Sequence, residues 1–551
     1  MDIDKKLRGL KRRKIPSDLD RILSIERLSP LFSPEEAALW TKVLAKPKGE
    51  YKLRPVQGAA LATVFSHRGG FGAIGVGHGK TLIALLAGTV AKAKRPIILT
   101  APSLTDQMRS DGEYWSNHFD LLMPKVLSYG ALSTQTDLLT RYNPDFIVAD
   151  EAHCLRHKTS ARTRRFIRFF HENPSCGFLA LSGTITAKSL LDYSHLLELS
   201  LRERAPIPFN RWELERWAAC IDPDGEPARA DLARLHYLVQ WSSQSDLAVP
   251  SKKTIRKAFK ERLVTTPGVI STKEGSCEAS LHLIKHSPPH SKAIKAALKN
   301  LSARWETPEG EPIADASTKS RIFKSLSLGY YYKWDWGESA PDLEWLEAKR
   351  NLNRLVARVL RYSPKEGRDS PKLVIDWSKN GGGAVELRTA ISLWEQIKDR
   401  ASPLVIPVWI CKEKIQYLAD WLFEFGDPAL LWYSSNAIGI SLANLGIPTY
   451  GAGSLSPKGE ICAVSIAVHG KGKNLQMYDT AFVLEPPANG ATWEQLLGRT
   501  HRSGQASDLV TWHYFDYSGS LNKAKGHAEY IEETQGTRQK LNLATFLTTE
   551  R

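Results

Sequence analysis

Short apolar runs bounded by turns recur between residues 51 and about 201, at 71–76, 96–100, 125–128, 145–149 and 177–181. Helix-patterned stretches separate them, and that alternation predicts a parallel sheet with right-handed crossovers. Upstream, Leu19, Ile22, Leu23, Ile25 and Leu28 fall at near-helical spacing, and Pro34-Glu35-Glu36 opens a second short helix. From 202 to about 395 the chain is charged and helix-patterned, with no strand period and with aromatic patches such as Tyr330-Tyr331-Tyr332-Lys333-Trp334-Asp335-Trp336. Strand and helix alternate again at 403–410, 429–433, 461–468 and 480–484, which predicts a second α/β unit. The expected organisation is an N-terminal extension (1–50), a first α/β lobe (51–201), a helical, aromatic-rich insertion (202–395) and a second α/β lobe (396–551). No repeat of fixed period runs through it.

A chain of 551 residues agrees with three or four such units. Lys and Arg number 75 against 59 Asp and Glu, a net charge of +16, which points to a polyanionic partner. The six cysteines form no C-x-x-C pair, which argues against a disulfide framework and a thiolate zinc site and fits a reducing, cytoplasmic setting. The first fourteen residues hold seven Lys or Arg and lack the apolar stretch of a secretory signal. The charge-free stretch 429–457 is interrupted by Ser434, Ser435, Asn436, Asn444, Gly446 and Pro448, so no membrane span is expected.

Gly75-Val76-Gly77-His78-Gly79-Lys80-Thr81 lies between an apolar strand and the apolar helix-patterned stretch 82–90. Backbone N–H groups of a glycine-rich turn, joined to a helix N-terminus, form an anion site. Lys80 would then reach the β- and γ-phosphates and Thr81 would ligate Mg²⁺. Ile74 stands where the common G-x-x-x-x-G-K-[ST] pattern has its first glycine. Seventy residues on, an apolar strand ends in Asp150-Glu151-Ala152-His153. At the C-terminal edge of a parallel sheet, Asp150 would hold Mg²⁺ and Glu151 would polarise an attacking water.

With these two segments the chain resembles a superfamily 2 helicase motor carrying a DEAH box at 150–153. Gln495-Leu496-Leu497-Gly498-Arg499-Thr500-His501-Arg502-Ser503-Gly504-Gln505 and Gly470-Lys471-Gly472-Lys473-Asn474-Leu475-Gln476 narrow the likeness to the Swi/Snf-like DNA translocase branch. Leu53-Arg54-Pro55-Val56-Gln57 resembles that family's adenine-reading segment. Ala101-Pro102-Ser103-Leu104 and Ser128-Tyr129-Gly130-Ala131-Leu132 are similar to its strand-tracking motifs, and Leu181-Ser182-Gly183-Thr184 to the motif that couples the lobes. The likeness covers about 51–200 and 400–515. Ile185 takes the place of the proline usual after that last motif, and Ile74-Gly75 that of an acidic pair.

The resemblance implies two RecA-like lobes around an ATP cleft. In it Arg54, Gln57, Gly75, Gly77, His78, Gly79, Lys80 and Thr81 hold nucleotide, and Asp150, Glu151 and Gln495 serve catalysis. Arg499 and Arg502 act as arginine fingers; His153, Ser182 and Thr184 couple the lobes. It also implies that 202–395 grips duplex DNA. The basic run Arg156, Lys158, Arg162, Arg164, Arg165 and Arg168 contains no acid, so it should bind phosphates without reading bases. Ser103, Tyr129, Lys471 and Lys473 are the other nucleic-acid candidates. The stretch 330–345, with Leu343 and Leu346 nearby, reads as a small aromatic core, with a single-strand stacking platform as the alternative. The expected function is an ATP-driven motor on duplex DNA in replication, recombination or repair. A strand-separating helicase and an ATP-switched clamp are the competing readings.

Overall fold

The computed structural model describes residues 17–28, 32–158, 160–183, 189–241, 249–272, 277–362, 371–401, 403–451, 460–470, 474–517 and 519–549. Six strands build the first sheet: β1 (Gly69–Ala73), β2 (Pro96–Thr100), β3 (Lys125–Ser128), β4 (Phe146–Asp150), β5 (Gly177–Ser182) and β6 (Val269–Ser271). Their order is β3-β2-β4-β5-β1-β6 and every pairing is parallel. Except for β3, these strands are buried along their whole length, which is why they read as continuous apolar runs rather than alternating ones.

Seven parallel strands build the second sheet. β7 (Ser280–His286) leads into it, and a separate antiparallel pair follows, β8 (Tyr330–Asp335) with β9 (Leu404–Trp409). The chain then adds β10 (Leu430–Tyr433), β11 (Thr449–Tyr450), β12 (Cys462–Ser465), β13 (Thr480–Val483), β14 (Leu509–Phe515) and β15 (Thr545–Thr548). The order β11-β12-β10-β13-β14-β7-β15 places β7, early in sequence, between the last two strands.

Two boundaries therefore move. The described residues between 202 and 272 belong to the first lobe and not to an insertion, because β6 pairs with β1 and helix Lys252–Val264 sends Ile255, Ala258, Phe259 and Leu263 into the first core. The second lobe starts at β7 rather than near 396. The expected strand at 403–410 forms as β9 but stands outside the second parallel sheet. Leu404 and Val405 are exposed, so this run lacks the two covered faces of a central parallel strand. Between β8 and β9, helices Leu343–Tyr362, Pro371–Lys379 and Val385–Ile397 close around their own small core of Leu352, Val356, Val374, Leu387 and Ile391. No helix among the described residues is long and apolar enough to cross a membrane.

Candidate active site

β1 ends at Ala73, earlier than its apolar run, and the chain turns into helix Lys80–Val90. Gly77 and Gly79 take positive φ, 92° and 76°, in that turn. Space also demands a glycine at 79, since a Cβ there would lie 2.3 Å from the Gln57 amide nitrogen. Gln57 clamps the loop: its Oε1 accepts from the Arg54 N–H at 2.8 Å and its Nε2 donates to the Gly79 carbonyl at 3.2 Å. Gln57 is buried and spends its amide on the loop, so in this conformation it braces the turn rather than presenting an adenine-reading edge. The His78 ring lies against Gly75, and Thr81 sits half-buried in the first helical turn.

Lys80 folds back into the turn, donating to the carbonyls of Ile74 at 2.9 Å and Gly75 at 3.0 Å. Burial lowers its ammonium below the usual lysine range, against the pull of Glu151, Asp150 and Glu494. At the end of β4, Asp150 is almost fully buried, with Thr100 Oγ1 donating to its Oδ2 at 3.4 Å. Burial, then the charge of Glu151, pushes Asp150 up from the carboxylate range. Glu151 has a left-handed backbone, φ 57°, which turns its side chain off the strand. Burial opposes its charge too, but His153, Lys80 and Arg499 outweigh burial and hold it low. His153 Nδ1 lies 3.2 Å from Glu151 Oε2 and 3.3 Å from Ser182 Oγ; burial opposes its charge, but Cys154 and Glu151 raise it to about 9. The site thus pairs a carboxylate kept ionised with a neighbour short of positive charge. Among the described residues no three His, Cys, Asp or Glu gather to hold a metal ion, and Asp150 with the half-buried Thr81 hydroxyl are the oxygen donors that the strand end and the turn offer.

The second sheet faces this edge through helix Gly490–Thr500. A Cβ on Gly498 would lie 2.4 Å from Val76 Cγ1, so the helix packs directly on the glycine-rich turn. Gln495 and Arg499 are buried there, and Arg499 Nε donates to the Gln495 carbonyl. Burial lowers the Arg499 guanidinium to about 10, and Glu151 partly restores it. Arg502 is half-buried with its Nε unpartnered, and it lies near enough to Arg54 for their charges to oppose. Arg54 spans both sides, donating to the Gly77 carbonyl at 3.0 Å and to Ser503 Oγ at 3.2 Å.

The sequence reading missed a third contributor, the segment 535–541. Thr537 Oγ1 donates to the Ala73 carbonyl at 2.8 Å, Gln539 Nε2 to the Gly183 carbonyl at 3.2 Å, and the Lys540 N–H to Glu494 Oε2 at 2.6 Å. Lys540 Nζ also meets His501 Nδ1 at 3.1 Å, while His501 Nε2 donates to the Ala279 carbonyl. These residues come from distant parts of the chain with no spacing to betray them. Thr272 is another such residue, its Oγ1 accepting from the Gly75 N–H at 2.9 Å.

The nucleic-acid candidates separate. Tyr129 has to be withdrawn: it is 1% exposed and its hydroxyl donates to the Asp150 carbonyl, supporting the site from below. In helix Ala161–Glu172, Phe166, Phe169 and Phe170 enter the first core. Arg165 lies half-buried beside them, with Nη1 donating to the Leu132 carbonyl, and Arg162 is half-buried too. Arg164, Arg168 and Lys158 are exposed, and Arg156 is half-buried, bonded through Nε to His157. Ser103 falls in the short turn Pro102–Leu104 after β2. Thr184, Lys471 and Lys473 lie outside the described residues. No protein-family model matches the chain, and no curated protein matches it.

Proposed function

We propose that the chain is a nucleic-acid-dependent ATPase, a superfamily 2 motor with two RecA-like lobes that moves along DNA and favours duplex. The observation that carries the reading is the convergence of Lys80, Asp150 and Glu151 from one sheet edge with Gln495, Arg499 and Arg502 from the other. Two lobes that each supply half of a site make its completion depend on their closure, which is the requirement for turning hydrolysis into movement.

Nucleotide phosphates would take the backbone N–H groups of residues 75–81. Lys80 would exchange the Ile74 and Gly75 carbonyls for the β- and γ-oxygens. Thr81 and Asp150 would hold Mg²⁺, which neutralises phosphate charge when bound. Glu151, already ionised, orients the attacking water and accepts its proton. Arg499 and Arg502 place planar, donor-rich cations where charge grows on the γ-phosphate. DNA would lie on the phosphate-binding residues Lys158, Arg164 and Arg168, exposed just beyond the Asp150–His153 segment.

ATP turnover measured side by side with no nucleic acid, single-stranded DNA, duplex DNA and RNA tests the reading. Stimulation by duplex DNA above the other three is the expected result. ATP binding without turnover in any of them would instead identify a clamp.

A further inference from the structure

A cavity of about 840 Å³ opens beside β8, far larger than a water site and within the range of small-ligand pockets. Its wall includes Tyr332, Lys333, Trp334 and Trp336 from the aromatic segment, with Arg321 and Lys349 from neighbouring helices. That segment is not simply core. Tyr330 is fully buried, its hydroxyl within hydrogen-bonding distance of both Ser435 Oγ (2.8 Å) and Glu485 Oε1 (3.1 Å). Tyr332, two residues on, is 39% exposed, and Trp334 and Trp336 are half-buried.

The aromatic wall is held from behind. Trp334 and Trp336 each meet Trp345 edge-on, at 5.2 and 5.7 Å between ring centroids, and Trp345 meets Trp394 at 5.0 Å. Trp345 is itself buried, its indole N–H donating to the Lys398 carbonyl. Tyr332 leans edge-on against Tyr330 at 5.6 Å. Rings fixed in this way present faces and edges to the cavity at little further cost in side-chain entropy.

The charges on the wall divide unevenly. Each acid has a use within the protein: Glu309 accepts from the Tyr331 hydroxyl, Glu311 pairs with Arg350, and Asp315 caps helix Ala316–Ser327 through the Thr318 N–H. Arg321 and Lys333 are exposed and form no ion pair with any carboxylate among the described residues. Lys349 lies 4.4 Å from the centre of the Trp394 ring. Aromatic rings lining an open cavity beside uncompensated cations form the combination that binds unpaired nucleotides, bases on rings and phosphates on cations. Paired bases inside a duplex stack cannot reach such a wall.

We propose that this cavity binds unpaired nucleotides of a DNA strand, stacked on Tyr332, Trp334 and Trp336 and held at the phosphates by Lys333 and Arg321. It rests on the function proposed above for the choice of DNA, but not for ATP turnover. The motor would then carry a place for a displaced or looped-out strand, built into its second lobe and apart from the nucleotide cleft.

The test uses the full chain without ATP and a fluorescently labelled oligothymidylate, with a blunt duplex of equal length beside it. Tyr332→Ala and Lys333→Ala alter exposed positions and leave the Trp345 packing intact, so they should fold as the parent does. Together they should weaken oligothymidylate binding about tenfold or more, in the range of one lost base stack. Duplex-stimulated ATP turnover should stay within about twofold. Unchanged oligothymidylate affinity in the double variant would overturn the proposal. So would a parent chain that binds no single strand while duplex DNA still drives its ATP turnover, a result that leaves the proposed function standing. Loss of stimulation by every nucleic acid, with oligothymidylate still bound through Tyr332 and Lys333, would sink the motor reading and keep the cavity.

Discussion

Gly498 has no functional group, yet it decides how closely the two halves of the site meet. Its Cα faces Val76, and a methyl group there would intrude to 2.4 Å from Val76 Cγ1. Gly498→Ala should leave the fold intact while holding the lobes slightly apart, lowering turnover about tenfold or more and nucleotide affinity much less. Equal turnover in variant and parent would show that closure does not pass through this contact. Glu151→Gln should bind ATP and hydrolyse it at least about a hundredfold more slowly, because an amide cannot accept the water's proton. Near-normal turnover would remove Glu151 from that role. At this scale the sequence is legible where chemistry is packed into consecutive residues, as at Gly75–Thr81 and Asp150–His153. Tyr129 was misread because its neighbours in sequence do not reveal that its hydroxyl reaches the Asp150 carbonyl. Gln539 and Lys540 were unreadable for a related reason, since their partners Gly183 and Glu494 lie 356 and 46 residues away.

Elements show how a residue pattern becomes a surface. Helix Ala161–Glu172 buries its phenylalanines and turns Arg164 and Arg168 outward, while Arg165 braces the Leu132 carbonyl. Replacing Arg164 and Arg168 with Ala should flatten the log–log salt dependence of duplex binding by up to about 2, at about 0.9 per phosphate contact. Arg165→Ala should instead lower the melting temperature with little change in slope. The reverse pattern would exchange their roles. Strands β7 and β14 join through a second buried device, His286 Nε2 against His513 Nδ1 at 2.8 Å, with the Tyr417 hydroxyl on the other His286 nitrogen and Trp421 and Phe482 alongside. Burial, then His286, pushes His513 down to about 3 from an ordinary 6.5. Between those values the unfolded chain holds the proton and the folded chain does not. Its stabilising contribution is therefore complete above about pH 6.5 and falls as pH drops toward 3, by about 1.4 kcal/mol per unit. Urea unfolding at pH 7 and pH 5 should show that fall, and His513→Asn should reduce it. A slope unchanged in the variant would place the acid sensitivity elsewhere. The strand at 403–410 forms outside the second parallel sheet. An apolar run predicts extended backbone, but exposure at Leu404 and Val405 decides which partner it takes, and exposure is a property of the folded whole.

Across the whole molecule, the two sheets were legible because strand and helix alternate in sequence, whereas β6, β7, β14 and β15 depend on crossings that no local pattern encodes. The most informative of these crossings is the last. After helix Ser520–Gln535 the chain turns at Gly536, φ 76°, and residues 535–540 thread between the sheets. They touch the first lobe at Ser271, Ala73, Thr272 and Gly183, and the second at Glu494 and His501. Gly183 adjoins Ile74 and Gly75, so Gln539 sits one contact from the glycine-rich turn. Glu494 lies on the helix that carries Arg499. A segment bonded at once to both halves of the site should follow every opening and closing, and its hydrogen bonds should be strained or broken in one of the two states. Gln539→Ala should then lower kcat several-fold and leave KM for ATP nearly constant, because Gln539 reaches the site only through Gly183 and touches no phosphate. Lys540→Met, which keeps most of the side-chain volume and removes the charge between Glu494 and His501, should weaken the stimulation by duplex DNA more than the basal rate. A purely structural brace would give a different pattern: both variants would lose thermal stability, with kcat, KM and stimulation of the surviving folded protein unchanged. That outcome would remove Gln539 and Lys540 from lobe coupling and leave it to other contacts between the two halves, such as Gly498–Val76, Arg54–Ser503 and Arg256–Glu533.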